Sequence, residues 1–246
     1  MTRGLFLASA ALVLAAGTVG AAFAAPQAGA PASQKGKNSA AVAGAPATAT
    51  TGVSQFNAAM EMAELARQKK DPVMMLGAAR AVSAIGGTFG EDVGKAGVAD
   101  KAKPASGAAT RAEAPATPLF DRLLAEATTF ARGNEAALGL IRETQADGGR
   151  GTTVGPHRHD VRLGSSKYLD YTERFVRGQL AEAVVTGDGY TNVDLVVYDA
   201  NGNRICSSTR GGDREYCSWT PAWTGNFTVR VTNYGSSYND VAVLVN

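Results

Sequence analysis

Apolar residues recur along this chain at two different periods. Between Phe56 and Ile141 the spacing is three to four residues, and from His157 onward it is two. The first period belongs to helices and the second to strands. In the first helical island Ser54 is a suitable N-cap, with Phe56, Ala59, Met60, Ala63 and Ala66 on one face. Asp71-Pro72 then reads as a fresh cap and first-turn proline, opening a helix that carries Met75, Leu76, Ala79, Val82 and Ile85 as far as Gly86-Gly87. A second island follows the same plan. Thr117-Pro118 opens a helix bearing Phe120, Leu123, Leu124, Ala127 and Ala131, Gly133-Asn134 breaks it, and Leu138 and Ile141 continue toward Gly148-Gly149. Residues 53–87 and 117–147 are therefore expected to form two helical hairpins that bury their apolar faces together.

Strand-like runs fall at 157–163, 168–175, 180–186, 193–199, 204–208, 215–219, 225–233 and 240–245. About eight short antiparallel strands separated by Gly, Asn and Asp predict an all-β sandwich, jelly-roll-like, over residues 156–246. Phe227, Val229 and Val231 alternate with Thr228, Arg230 and Thr232, the pattern of a strand with one buried face. The last strand differs. After Asp240, Val241, Val243 and Val245 alternate with Ala242 and Leu244, so neither face is polar and the helices are given somewhere to dock.

Composition separates these islands. Residues 1–24 carry a short positive start, an apolar run from Leu5 to Val19 and a small-x-small site at Ala22-Phe23-Ala24, which reads as a signal peptide. Residues 25–52 and 88–116 are rich in Ala, Pro, Gly, Ser and Thr and are expected to be disordered linkers, because they hold too little apolar surface to offset the entropy of ordering. A periplasmic or secreted protein is implied, with no transmembrane segment after cleavage. The formal charge of +2 steers the chain to no nucleic acid. In an oxidising compartment the two cysteines, Cys206 and Cys217, are expected to be bonded. Their near-symmetric spacing about Gly211-Gly212 suggests a bridge across one antiparallel hairpin.

Gly187-Asp188, then Asn192-Val193-Asp194-Leu195-Val196-Val197-Tyr198-Asp199-Ala200-Asn201-Gly202-Asn203, are followed by Trp219-Thr220-Pro221 and Trp223-Thr224-Gly225-Asn226-Phe227. Over this stretch the sequence resembles the bacterial pre-peptidase C-terminal domain family. The N-terminal helical region resembles no family we recognise. The resemblance implies a β-sandwich that in other members is appended to secreted peptidases. No peptidase accompanies it here, so what carries over is a binding or accessory role.

Some members of that family resemble calcium binders at the central strand, where Asp188, Asn192, Asp194 and Asp199 would supply oxygen ligands. The alternative is that these residues cap turns, and Ca2+ is the only cofactor either reading brings in. Tyr190, Trp223, Tyr234 and Tyr238 fall in or beside loops, where they would either stack on a ligand or plug the ends of the sandwich. His157 and His159 are spaced to share one strand face, and a solvated edge strand explains them without a metal. No Gly-x-Ser-x-Gly, His-Glu-x-x-His or phosphate-binding glycine loop is present, so no catalytic residue is assigned and an enzyme is not expected. The leading expectation is an exported non-catalytic binding or accessory module whose partner is an envelope protein, a peptide or a glycan. The alternatives are a helical partner-docking protein with the sandwich as a stability unit, and an unrecognised secreted hydrolase.

Overall fold

In the computed structural model the described residues are 35–40, 51–85, 88–89, 95–99, 116–147 and 156–246. The expected signal peptide lies outside them, as do the glycine pairs at 86–87 and 148–149 and most of both linker tracts.

Four helices precede the sandwich: α1 Gly52–Lys69, α2 Pro72–Ile85, α3 Leu119–Phe130 and α4 Glu135–Asp147. The cap of α1 is Thr51 rather than Ser54, its side chain accepting from the Ser54 amide. Lys70 ends α1 in the left-handed region with φ 52°. Asp71 Oδ1 then accepts from the amides of Val73 and Met74 at 2.9 Å, the cap expected before Pro72. Asn134 does the same for α4 through the Ala137 amide.

The expected strands are all present, and two more join them from the tract read as a linker. Thr88–Phe89 (β1) pairs in parallel with His157–Leu163 (β3), and Lys95–Val98 (β2) pairs antiparallel with Lys167–Phe175 (β4). The disordered reading of 88–116 is corrected at these residues. A strand added at a sheet edge needs only backbone donors and acceptors, which an apolar pattern does not reveal. The remaining strands are β5 Ala181–Thr186, β6 Val193–Asp199, β7 Arg204–Ser208, β8 Arg214–Trp219, β9 Gly225–Asn233 and β10 Asn239–Val245. Sheet A runs β1-β3-β10-β5-β8 and sheet B runs β2-β4-β9-β6-β7.

Between the sheets lies a core of Leu163, Leu169, Phe175, Val185, Leu195, Val197, Trp219, Phe227, Val229, Val231 and Val243. Phe175, Trp219 and Phe227 meet edge to face or tilted, with ring centroids 4.8 to 5.6 Å apart. The other face of sheet A belongs to a second core, in which Val184, Ala242 and Leu244 pack with Val53, Phe56, Met60, Met75, Leu123 and Ile141. Every residue of β5 and of β10 is buried. The apolar final strand does dock the helices, and residues Lys35–Asn246 form one unit. Thr51, Tyr216 and the buried Glu182 reinforce the seam by hydrogen bonds.

Cys206 and Cys217 are bonded, with Cα atoms 5.9 Å apart. The expected hairpin geometry is corrected, because β7 pairs with β6 in sheet B and β8 with β5 in sheet A. The bridge therefore staples one sheet to the other.

Candidate functional site

A cleft of about 290 Å3 opens where α1 meets the loops at one end of the sandwich. Its lining is Met60, Glu64 and Arg67 from α1, Thr186, Gly187 and Gly189 from the exit of β5, and Asp213 and Arg214 at the start of β8. Asp213 is its centre. The Asp213 carbonyl accepts from the Gly187 amide at 2.7 Å, and its carboxylate accepts from the Gly189 amide and from Asn239 Nδ2. A Cβ on residue 187 would overlap the Asp213 carboxylate and the Asn239 amide, so this close approach requires glycine. Burial, reinforced by the charge of Asp188, pushes the Asp213 carboxyl up to about 7, although Asn239, Gly189 and Arg122 pull the other way.

A charged network continues behind Asp213. Asn239 is fully buried and also bonds Thr191 through Nδ2, while its Oδ1 accepts from the Asp188 amide. Asp188 Oδ2 in turn accepts from the Asp240 amide at 3.1 Å. Arg162 grips the Asp240 carboxylate with both prongs at 2.8 Å and lies over the Tyr238 ring at 3.9 Å. Burial acts to raise the Asp240 carboxyl, but this grip, with the Thr117 amide, holds it below the usual carboxylate range. Arg122 donates to the Asp240 carbonyl at 2.7 Å, its Nε is buried without a hydrogen-bond partner, and burial lowers its affinity for a proton. On the helical wall Arg67 forks onto Glu126 and reaches Glu64, and Arg214 reaches Glu61 and Asn57. The cleft thus offers a neutral-range carboxyl between guanidinium and carboxylate groups. Its lining contains no His, Cys, Ser or Lys.

The residues singled out in the sequence are dispersed. Asp188 joins the network just described, with the exposed Tyr190 at the same corner and Tyr238 beneath Arg162. Asp194 and Asp199 stand at opposite ends of β6, with different ladder partners in β9, so the four oxygen ligands proposed for one calcium ion do not converge. Asn192 donates to Asp194 at 3.0 Å, and Asp199 closes its own turn by accepting from the amides of Asn201 and Asn203 at 2.9 Å. Among the described residues no group of three or more His, Cys, Asp or Glu side chains is placed to hold a metal ion. The amide of Tyr234 bonds the Asn192 carbonyl, and Trp223 lies at a separate loop, so the four aromatics form no common platform.

The solvated reading of the histidine pair is corrected at His159. It is buried, stacked on Tyr171 at 4.3 Å, and both rings approach Glu173, His157 at 3.0 Å and His159 at 3.8 Å. Sequence reasoning also missed Arg122, Arg162, Asp213, Arg214 and Asn239. One signal was available, since Asn239-Asp240 is a polar pair set immediately before a wholly apolar strand. Among the described residues, no helix is long and apolar enough to cross a membrane.

No family model matches the sequence, and no curated protein matches it. Several solved structures are similar. The pre-peptidase C-terminal domain of a collagenase from Bacillus anthracis is 12% identical, over 35% of this chain and 89% of that one, with a TM-score of 0.30. PliG, a periplasmic inhibitor of g-type lysozyme from Aeromonas hydrophila, is 16% identical over 37% of this chain and 89% of its own, with a TM-score of 0.27. The carbohydrate-binding module CBM36, solved with calcium and xylotriose, is 14% identical over 38% and 91%, with a TM-score of 0.25. A pre-peptidase C-terminal domain is thus among the solved structures to which this chain is similar, and at these TM-scores none of the likenesses carries a function to it.

Proposed function

We propose that this protein is an exported, non-catalytic binding module, working in the periplasm or outside the cell, that takes a small polar ligand or the end of a peptide or glycan in the junction cleft. The cleft itself carries the reading: about 290 Å3 between helices and sandwich, with Glu64, Arg67, Asp213 and Arg214 offering both signs of charge above Met60. The disulfide supports an oxidising compartment. A hydrolase is less well supported, because the cleft lining sets no His, Cys, Ser or Lys beside Asp213. The helical partner-docking reading is weakened by the spending of the helices' apolar faces on Val184, Ala242 and Leu244 of the sandwich.

The test is a thermal-shift panel of amino acids, short peptides and oligosaccharides at pH 6 and 8. A compound that binds the cleft raises the melting temperature of the wild type and loses that effect in Glu64→Ala and Arg214→Ala. Failure of the whole panel, or binding that survives both substitutions, would contradict the assignment.

A further inference from the structure

Six residues of the tract read as disordered, 35–40, are held at the sandwich end where the Asp199–Asn203 turn meets the loop before β9. Their attachment is specific. Asn38 is 2% exposed, and its side-chain amide pairs with the Trp223 backbone in both directions, Nδ2 donating to the carbonyl at 3.0 Å and Oδ1 accepting from the amide at 2.9 Å. Its own amide donates to Asp199 Oδ2 at 2.8 Å. Gly36, with φ +110°, turns its carbonyl to accept from Asn201 Nδ2 at 3.0 Å and Asn203 Nδ2 at 2.9 Å. The Ala40 amide donates to the Thr220 carbonyl at 2.9 Å.

No apolar side chain anchors this stretch, so the hydrophobic effect does not explain its place. What holds it is a set of donors and acceptors matched to a backbone and one carboxamide. Asp would not replace Asn38, since a carboxylate oxygen would face the Trp223 carbonyl where Nδ2 now donates. Lys would not replace Gly36 without strain at that φ. Lys35 and Lys37 are exposed and contribute no specificity. The recognised pattern is therefore Gly-x-Asn in a peptide that bends at Gly36 and turns at Asn38, where the Ser39 amide bonds the Lys37 carbonyl at 2.9 Å.

We infer that this end of the sandwich is a recognition groove for linear peptides carrying Gly-x-Asn, occupied in cis by Gly36–Asn38. The Asp199-Ala200-Asn201-Gly202-Asn203 turn supplies its wall, and the amide donors around Asp199 fit that carboxylate to a peptide N–H. Occupancy in cis is easy to reach. Ala40 sits at Thr220, Thr51 meets Glu182, and Glu182 pairs with Ser218, only two residues from Thr220. The ten intervening residues, 41–50, reach about 33 Å when extended, far more than this gap. A tether so short keeps its segment at an effective concentration on the order of millimolar, so a free peptide must compete against that value.

The experiment uses the mature chain and a fluorescent synthetic peptide, Lys-Gly-Lys-Asn-Ser-Ala. Asn38→Asp is expected to vacate the groove and bind this peptide at least about 10-fold more tightly than the wild type, which the tether blocks. A peptide with Asp in place of Asn should not bind the variant. A folded Asn38→Asp chain, judged by circular dichroism and an intact disulfide, that takes up no more peptide than the wild type would overturn the inference. In the wild type, excess peptide at about 10 mM should speed hydrogen exchange at the amides of Asn38 and Ala40 while leaving β9 protected. Unchanged exchange there would overturn it independently of how the variant folds. A concentration-dependent wild-type dimer that Asn38→Asp dissolves would move the occupant to a second copy and refute occupancy in cis.

Discussion

The two sheets are built from the same number of strands yet live in different surroundings. Sheet A is covered on both sides, by sheet B within and by the helices without, and its central strands β5 and β10 are buried along their whole length. Sheet B has one buried face. In β6 the burial alternates residue by residue, and its outer face carries Tyr168, Asp170, Tyr198 and Arg230, with Arg230 gripping Asp170 at 2.7 Å and lying over the Tyr168 ring at 4.0 Å. The difference teaches that an apolar residue in this sandwich has a meaning set by its sheet: in β10 both parities are core, whereas in β6 only one is.

A pair of matched substitutions breaks the comparison most sharply. Val184→Asp places a carboxylate in the core between sheet A and the helices and should destabilise by at least about 3 kcal/mol in urea unfolding. Val196→Asp, on the outer face of sheet B opposite Arg230, should change stability by less than about 1 kcal/mol. Equal effects would mean that the helices do not cover sheet A. The corner network comes next. Arg162→Ala strips the fork from the nearly buried Asp240 and should cost about 2 to 3 kcal/mol at pH 7. Because the Asp240 carboxyl is held below its usual range, the stability it contributes is present above that range and lost as the pH falls through it. The Arg162→Ala penalty should therefore shrink in acid.

The bridge between the sheets is comparable in size. Cys206→Ser with Cys217→Ser should cost about 2 to 3 kcal/mol by the loop-entropy relation, measured as a fall in the urea midpoint. Mass spectrometry of the unreduced protein should find no alkylatable thiol. The pH dependence of the cleft has the opposite sign to that of Asp240. Asp213 titrates at about 7 in the folded chain against 3.8 unfolded, so its folded form holds the proton more tightly. Its contribution is complete below about pH 4 and is lost as the pH rises to about 7. Asp213→Asn should flatten the melting temperature against pH across that window, and an unchanged slope would deny Asp213 its buried setting.

Most of the sandwich was legible because strands that cover a core must alternate, and the final strand announced its second covered face by having no polar residues after Asp240. The helical hairpins were legible for the same reason, through Phe56, Met60, Leu76 and Leu123. Elements held by hydrogen bonds rather than by an apolar face were not. Thr88–Phe89, Lys95–Val98 and the segment around Asn38 carry no periodic apolar signal, so composition alone assigned them to linkers. The disulfide partners could be read from their number and compartment, but spacing could not show that β7 and β8 belong to different sheets. Of the candidate site, Asp188 was visible beside Gly187, whereas Asp213, Asn239 and Arg122 gain their roles only when residues far apart in sequence meet at one corner.

The covered outer face of sheet A makes the helices and the sandwich a single cooperative body, with the cleft as its seam. Differential scanning calorimetry of the protein, followed by circular dichroism at 222 nm and by near-ultraviolet tryptophan signals, addresses that directly. One transition, with coincident probes and equal calorimetric and van't Hoff enthalpies, is the predicted result. A helical signal that melts first, leaving the tryptophan environment intact, would contradict it.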